Sequence, residues 1–345
     1  MLSVAGLLMT VSAYMLMALM PLHISERMAT DGVVCQEQLI SAAAYAAGLF
    51  AFGPFCNWLV QRYRRGTVCV RAMEGYSVCA GLSWFLMGHR GLAIPVAIEI
   101  LRFFTAAFYG LAILVLLGTL VVDKTDSSLR THANHSAAWV ARLGIALGPL
   151  AAVVLYRNAS PADVCLWASV AGVVAAVLVR LVRFPFKTPE DDLRHVSADR
   201  FLLTGSWRMF LFTAVCYACY GYVLAMVGSV AFFALVLVGF LWALVTERFM
   251  HSQTYRSTDL FIAFVFILSA MSMFCSPNGM LPGFFTPCLL GAGVGMAGAR
   301  SQLMLINECD HCRRSTAVGT FLLASEFGVA VGVLFGLLAM TIIFV

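Results

Sequence analysis

Apolar segments long enough to cross a lipid bilayer recur along nearly the whole sequence. A helix crosses a hydrocarbon core of about 30 Å with about 20 apolar residues, and many of these segments reach that length. Apolar residues make up 61% of the 345 positions and charged residues only 11%, at a mean hydropathy of +0.91, so most of the surface must face lipid. The sequence therefore predicts an all-α membrane protein that crosses the bilayer many times.

Eleven membrane-spanning helices are predicted from these segments. A Val-Gly-Ser turn at Gly228 is expected to separate the seventh helix from the eighth. The first segment has no basic stretch before it and no small-residue cleavage site after it, so we expect a retained helix rather than a signal peptide. The predicted helices cover residues 2–23, 38–60, 67–88, 93–121, 136–156, 162–183, 206–226, 228–248, 259–275, 282–305 and 316–342.

Basic residues fall mainly on one side of the predicted membrane. If the N-terminus is cytoplasmic, the outer connections contain only Arg27, Arg90 and Arg157. The cytoplasmic connections contain Arg62, Arg64, Arg65, Lys124, Arg130, Arg183, Lys187, Arg194, Arg200, Arg256, Arg313 and Arg314. Lys and Arg are enriched in cytoplasmic loops, so this asymmetry predicts a cytoplasmic N-terminus. The net charge of +5 is therefore explained by membrane topology, and we expect no nucleic-acid partner.

A polar segment with two prolines, VRFPFKTPEDDLRHVSADRF, interrupts the apolar pattern from Val182 to Phe201. Six predicted helices precede it and five follow it, which is the order expected of a transporter built from two similar bundles. We therefore predict a first bundle at residues 1–183, a connector at 184–205 and a second bundle at 206–345.

The loop after the second predicted helix carries three arginines, within NWLVQRYRR. It resembles the signature G-x-x-x-D-R-x-G-R-R of the major facilitator superfamily of secondary transporters, with Asn57, Gln61 and Arg64 in place of the first Gly, the Asp and the second Gly. The resemblance implies that Arg62 and Arg65 belong to a charge network that latches two helical bundles on the cytoplasmic side. Gln61 lacks the acidic charge of that network.

Three further segments occur in the order that this family requires. EILRFFTAAFYG, with Arg102, is similar to the fourth helix, and RRSTAVGTFLLASEFGVAVG is similar to the eleventh. GIALGP, which contains Gly144, Gly148 and Pro149, is similar to a fifth-helix motif that is prominent in proton-coupled exporters, although close helix packing explains its glycines equally well. The resemblance implies two pseudo-symmetric bundles. Because the family normally has twelve helices, we expect the twelfth to be missing from this chain.

Two ionisable residues lie three positions apart in the fourth predicted helix. A charge near the bilayer centre costs at least about 2.5–3.5 kcal/mol, so such residues are candidates for a functional role. Glu99 and Arg102 share one helical face and can pair. We expect Arg102 either to face a central cavity, as a partner for an anionic substrate or a titrating carboxylate, or to form only an internal ion pair with Glu99.

Glu326 is predicted to lie deep in the membrane, in the eleventh helix, with no cation close to it in the sequence. Burial disfavours the charged form of a carboxyl, and proton coupling needs a carboxyl that exchanges its proton near neutral pH. The alternative is an ion pair between Glu326 and a basic residue such as Arg300. Arg142 and Glu74 lie nearer the cytoplasmic ends of their helices, and we expect them to reach the membrane interface.

The resemblance adds candidates by position, because the first, fourth, seventh and tenth helices line the substrate cavity of this family. Arg300 and Gln302 lie in the tenth helix, Tyr217 and Tyr220 in the seventh, and Tyr14 in the first. Their side chains either contact the substrate or hold neighbouring helices together by hydrogen bonds.

Motifs for other classes of function are missing from the sequence. CDHC, at Cys309 to Cys312, has no second Cys or His pair at zinc-like spacing, so we predict no metal and no cofactor. The sequence contains no phosphate-binding G-x-x-x-x-G-K-[ST], which argues against an ATP-driven pump. It contains neither H-E-x-x-H nor G-x-S-x-G, so we predict that the protein is not an enzyme.

These features together predict a secondary active transporter that moves a small organic solute by alternating access, with proton-coupled efflux as one form. The alternatives are a non-transporting receptor or scaffold on the same fold, and a flippase for lipids or other amphiphiles. The expected partners are the solute, a proton and the lipid bilayer. The compact loops and short tails favour a bacterial inner membrane, and we expect a monomer.

Overall fold

The computed structural model describes residues 1–31, 36–88, 95–125, 130–184, 194–250, 257–275, 280–309 and 313–344. Within these residues the chain forms eleven long helices, some of them interrupted, and no strand, which confirms the predicted fold class. Ten of these helices are long and apolar enough to cross a membrane. Helix 3 is not among the ten, because Arg71, Glu74 and two serines lower its hydropathy. The protein is an integral membrane protein.

Helices 1 to 6 form the first bundle. Helices 2 and 5 each consist of two α-helical segments, and helix 4 contains the π-helical turn Leu116–Leu120. The bounds are Leu2–Asp31 (helix 1), Gln36–Ala51 and Cys56–Arg62 (helix 2), Arg65–Gly88 (helix 3), Pro95–Val115 and Val121–Asp123 (helix 4), Arg130–Arg142 and Gly144–Asn158 (helix 5), and Pro161–Arg180 (helix 6).

Helices 7 to 11 form the second bundle. Helix 7 ends at Met226 and helix 8 begins at Val230, so the predicted break at Gly228 is confirmed. The bounds are Trp207–Met226 (helix 7), Val230–Met250 (helix 8), Ser257–Cys275 (helix 9), Met280–Asn307 (helix 10) and Arg314–Phe344 (helix 11).

The two bundles follow one packing plan, in which each helix of the first corresponds to the helix six places later. Helix 1 packs on helix 5 as helix 7 packs on helix 11, and helices 2 and 4 pair as helices 8 and 10 do. Between the bundles, helix 2 meets helix 11 and helix 5 meets helix 8. Helix 6 packs against helices 1 and 3, and it has no counterpart among the described residues of the second bundle. The predicted pair of pseudo-symmetric bundles is confirmed.

Helix 2 is interrupted at the Gly-Pro pair, where a 3-10 turn covers Gly53–Phe55. Pro54 has no N–H to continue the helix, and its carbonyl instead accepts a hydrogen bond from the backbone N–H of Ser197 at 3.0 Å. The ring of Phe201 fills the space beside Gly53 that a Cβ would occupy. The interruption therefore forms a seat for the connector.

The same part of the connector also binds helix 11. The backbone N–H of Arg200 donates to Thr316 Oγ1 at 2.9 Å, and that of Leu203 donates to Thr320 Oγ1 at 2.7 Å. Residues 197–203, which we call the docked connector, thus join helix 2 of the first bundle to helix 11 of the second.

Candidate functional site

Helix 11 lies very close to helix 7 because two of its glycines face that helix. A Cβ on Gly328 would lie 2.9 Å from the Ala214 Cα, and a Cβ on Gly332 would lie 2.8 Å from the Tyr222 N. Small residues at four-residue spacing allow this approach in lipid. Since a helix turns about 100° per residue, Glu326, two positions before Gly328, points away from helix 7 and towards the first bundle.

Glu326 is buried, with 4% of its surface exposed, near the middle of the apolar stretch Arg314–Met340. The hydroxyl of Tyr109, on helix 4, donates a hydrogen bond to Glu326 Oε1 at 2.9 Å. Glu326 Oε2 is buried and has no hydrogen-bond partner among the described residues. No basic side chain in the described part of the chain pairs with Glu326, so the alternative pairing with Arg300 is wrong.

Four tyrosines surround this carboxyl. Tyr14, Tyr45 and Tyr109 come from helices 1, 2 and 4, and Tyr217 comes from helix 7; all are buried and within electrostatic range of Glu326. The hydroxyl of Tyr45 has no hydrogen-bond partner in the described residues, whereas the hydroxyls of Tyr14 and Tyr217 are directed at Glu326 and Arg142 without completing a well-aligned hydrogen bond. We call these five residues the Glu326 cluster. Buried polar groups without partners are costly, so the cluster is the natural place for a polar ligand.

Arg142 forms a second link between the bundles, next to Tyr217. Its Nη2 donates to Gln302 Oε1 at 3.0 Å, from helix 5 to helix 10. Its guanidinium also lies over the rings of Trp139 and Phe321, at 5.2 Å and 5.1 Å from their centroids. Arg142 is only 4% exposed, so the expectation that it reaches the membrane interface is wrong. The two rings and Gln302 offset part of its desolvation.

Glu74 is part-exposed and pairs with Arg71, in agreement with an interfacial position.

Arg300 is held in a buried charge network. Its Nε lies 3.2 Å from Asp259 Oδ2 and its Nη2 lies 3.5 Å from Glu247 Oε1, on helices 9 and 8. His135 of helix 5 lies 3.8 Å from the same Glu247 oxygen. The charge of Arg300 is therefore balanced inside the second bundle, and the network touches the first bundle through His135.

Arg102 lies beside the Glu326 cluster, in the first bundle. It lines a small cavity of about 30 Å³ together with Tyr45, Thr105 and Cys165. Glu99 lies within electrostatic range of Arg102, and the predicted ion pair between them stays a prediction. Tyr45 both lines this cavity and lies within electrostatic range of Glu326, so it connects the two places.

The other candidate residues of helices 5 and 7 contact neighbouring helices. The Tyr220 hydroxyl donates to the Ile145 carbonyl at 2.7 Å, from helix 7 to helix 5. Gly144 and Gly148 face helix 1, where a Cβ on either would lie 2.7 Å from the backbone of Val11. Pro149 is buried in the same helix.

The arginine-rich loop finds its acidic partner on another helix. Gln61 Nε2 donates to Asn57 Oδ1 at 2.8 Å, one turn back. Arg65 instead forms an ion pair with Asp123, at the end of helix 4. Arg62 and Arg64 are exposed. The acidic charge that Gln61 lacks is thus supplied to this loop by helix 4.

Some residues of this site carried no usable signal in the sequence. Tyr109 lies two turns after Arg102 on the same face of helix 4, but ten tyrosines and 26 phenylalanines offer many such positions. Asp259 and Glu247 were not singled out because they lie at the ends of their apolar segments. Among the described residues no group of three or more His, Cys, Asp or Glu could hold a metal; Cys312 of the CDHC motif lies outside those residues.

No family model matches the sequence, and no curated protein matches it. The fold is similar to solved transporter structures. A bacterial homologue of the human lysosomal transporter Spinster, inward-facing and occupied, gives a TM-score of 0.65 at 12% identity, covering 99% of this chain and 81% of that one. The nucleoside transporter NupG gives 0.65 at 11% identity, covering 100% and 96%. The xylose transporter XylE from E. coli gives 0.64 at 10%, covering 99% and 96%. This chain has the fold of these transporters.

Proposed function

We propose that this protein is a secondary transporter that moves a small organic solute by alternating access, with the Glu326 cluster in its pathway. The supporting observation is Glu326 itself, a buried carboxyl between the bundles with one oxygen on Tyr109 and the other without a partner. Carriers with two bundles bind their substrates at the bundle interface near mid-membrane. The cluster takes residues from helices 1, 2 and 4 of one bundle and helices 7 and 11 of the other.

Contacts between the bundles lie on both sides of this cluster. Towards the predicted cytoplasmic side, Arg142 binds Gln302, and the docked connector joins helices 2 and 11. Towards the predicted outer side, Arg157 Nη2 donates to the Gly228 carbonyl at 2.8 Å. Alternating access requires that one set of contacts opens while the other holds, and the contacts named here are hydrogen bonds between single groups, which can break and form again.

Glu326 is the proposed proton site. When its carboxyl is ionised, it accepts the hydrogen bond of Tyr109 and presents Oε2 to the solute. When it takes up a proton, the negative charge and the acceptor capacity of the protonated oxygen are lost, and the solute is released. The proton and the solute therefore occupy the same carboxyl in turn. A proton that enters from one side releases the solute to that side, and the result is proton-coupled efflux.

A solute must be found before transport is tested. Sugars and nucleosides are the first classes to screen, because XylE and NupG are named as xylose and nucleoside transporters. A solute that binds only the folded protein raises its melting temperature in detergent. Each solute that does so is then offered to the protein in liposomes. If no solute bound by the protein crosses the membrane, the protein is a receptor or scaffold rather than a carrier.

The test of coupling is Glu326→Gln. Gln resembles the protonated carboxyl, so we expect this variant to bind the solute more weakly, to exchange labelled solute across liposomes at equal pH only at higher solute concentration, and to lose accumulation driven by a pH gradient. The matched control is Glu308→Gln, which removes an exposed carboxyl at the end of helix 10. Gradient-driven accumulation that is unchanged in Glu326→Gln would remove Glu326 from the coupling step.

A further inference from the structure

A large cavity lies at the membrane edge, away from the Glu326 cluster. It measures about 650 Å³ and is formed where the ends of helices 2, 3, 4 and 6 meet the start of the connector. Phe184 closes one side by packing over Gly66, where a Cβ would lie 3.0 Å from its ring. The cavity is on the membrane side that the arginine distribution predicts to be cytoplasmic.

Four arginines and two carboxylates line the cavity, so it carries a net positive charge. The arginines are Arg64, Arg65, Arg71 and Arg180, and the carboxylates are Glu74 and Asp123. Arg71 and Arg180 share Glu74, at 2.8 Å and 3.9 Å, and the side chains of both are about three-quarters exposed at 75% and 76%. Arg65 pairs with Asp123 through Nη1.

Donors remain free in this arrangement. A guanidinium has five N–H donors, and one shared carboxylate cannot use those of both Arg71 and Arg180. Arg65 Nε is buried and has no hydrogen-bond partner among the described residues, although Arg65 lines the cavity. Guanidinium groups bind phosphate oxygens in pairs of hydrogen bonds, so the cavity offers the chemistry that a phosphate group needs.

An exposed apolar stripe on the outer surface of helix 6 leads to Arg180, which lines the cavity. Val173 and Val177 precede Arg180 by seven and three positions on the same helical face, and they and Leu181, which directly follows Arg180, are exposed at 50%, 49% and 64%. In a membrane protein such a surface faces acyl chains. The arginines therefore lie where a headgroup would be, and the apolar stripe lies where its chains would run.

We infer that this cavity binds the phosphate headgroup of an anionic phospholipid from the adjacent leaflet, with the acyl chains against helix 6. Basic pockets between helices at the cytoplasmic surface suit such headgroups. The lipid would lie between helix 3 and helix 6, both in the first bundle, and would share no residue with the Glu326 cluster. The inference is independent of whether the protein transports a solute.

The test measures the melting temperature of the purified protein in detergent against increasing phosphatidylglycerol. We expect a saturable increase, and a midpoint roughly thirty-fold higher in the double variant Arg71→Gln/Arg180→Gln, from about 1 kcal/mol per arginine. Both side chains are exposed, so this variant should melt like the wild type without lipid. The matched control is Arg194→Gln/Arg313→Gln, which removes two exposed arginines on the same predicted side but outside the cavity.

Three results would overturn the inference. An equal increase with zwitterionic phosphatidylcholine would show that the headgroup charge has no role. An equal loss in the control pair would show a general effect of surface charge rather than a site. An increase of the same size with glycerol phosphate, which has no acyl chain, would show that the cavity binds a soluble phosphate compound instead of a lipid.

Discussion

Arg300 is one of the largest fully buried side chains described, and its surroundings explain how a charge is tolerated there. Desolvating a guanidinium costs several kcal/mol even in a relaxed protein. Asp259 and Glu247 lie at 3.2 Å and 3.5 Å and offset that cost by direct attraction. Because two carboxylates lie within 3.5 Å of this one cation, removing Arg300 affects more than a single ion pair.

We expect Arg300→Met to lower the melting temperature of the detergent-solubilised protein strongly. Methionine fills much of the volume but leaves Asp259 and Glu247 buried without their cation, and breaking a buried pair in this way costs about 3–5 kcal/mol. The exposed Arg313, changed to Met, serves as the control. If both variants melt like the wild type, the two carboxylates are neutralised by other means and the network is not a source of stability.

At the scale of single residues, the sequence predicted the burial of Glu326 better than it predicted which side chains contact a buried residue. The burial of Glu326 agrees with its place in an apolar segment, while its depth in the membrane stays a prediction. Its partner Tyr109 lies 217 positions away along the chain, and no local pattern reports such a contact. The interfacial placement of Arg142 was wrong because position along a helix says nothing about the Gln302 and Phe321 side chains that face it.

At the scale of elements, the break in helix 2 and the docked connector act as one unit. The carbonyl of Pro54 accepts the backbone N–H of Ser197, and further along the connector the N–H groups of Arg200 and Leu203 donate to Thr316 and Thr320 on helix 11. Since helix 2 and helix 11 belong to different bundles, this unit must loosen when the bundles separate on that side.

We expect the double variant Thr316→Val/Thr320→Val to make the connector more sensitive to trypsin at Arg194 and Arg200. Valine keeps the shape of threonine but removes the two acceptors, so the connector opens more often. Limited proteolysis followed by mass spectrometry measures the cleavage rate at these sites, with an expected increase of roughly thirty-fold, as for the loss of about 1 kcal/mol at each of two hydrogen bonds.

The control for this experiment is Thr105→Val, since the Thr105 hydroxyl donates to the Leu101 carbonyl within its own helix and lies in the first bundle away from the connector. A cleavage rate that is the same in both variants and in the wild type would mean that the two hydrogen bonds do not hold the connector. Faster cleavage in both variants would point to a general loss of stability instead.

The number and order of the helices followed from the sequence because lipid demands about 20 apolar residues for each crossing. The Val-Gly-Ser turn at Gly228 was enough to divide helices 7 and 8. The π-helical turn Leu116–Leu120 was not predicted, since its five residues are as apolar as the α-helix around them and differ only in hydrogen bonding. The docking of Phe201 beside Gly53 depends on tertiary contacts that no segment specifies alone.

At the scale of the whole molecule, the contacts of helix 2 with helix 11 and of helix 5 with helix 8 are equivalent under the pseudo-symmetry. Two equivalent helix–helix contacts between the bundles, on opposite sides of the Glu326 cluster, are what alternating access by rocking bundles requires. The domain boundaries at 183 and 206 stay predictions, as do the cytoplasmic N-terminus and the bacterial inner membrane.

The predicted topology can be tested with single cysteines in a variant that lacks the native ones. We expect Arg64→Cys and Arg313→Cys to react with a membrane-impermeant maleimide only from the cytoplasmic side, and Arg157→Cys only from the outer side, because all three positions are exposed at helix ends. The measurement compares sealed vesicles of opposite orientation. Labelling of positions 64 and 313 from different sides would rule out the two-bundle topology.

The packing of the Phe201 ring beside Gly53 couples the residues that these two positions can carry during evolution, although they lie far apart in the sequence. A side chain at 53 and an aromatic ring at 201 cannot share the same space. Among homologous sequences, a larger residue at position 53 should therefore appear together with a smaller one at position 201, and either change made first should be tolerated poorly until the second arrives.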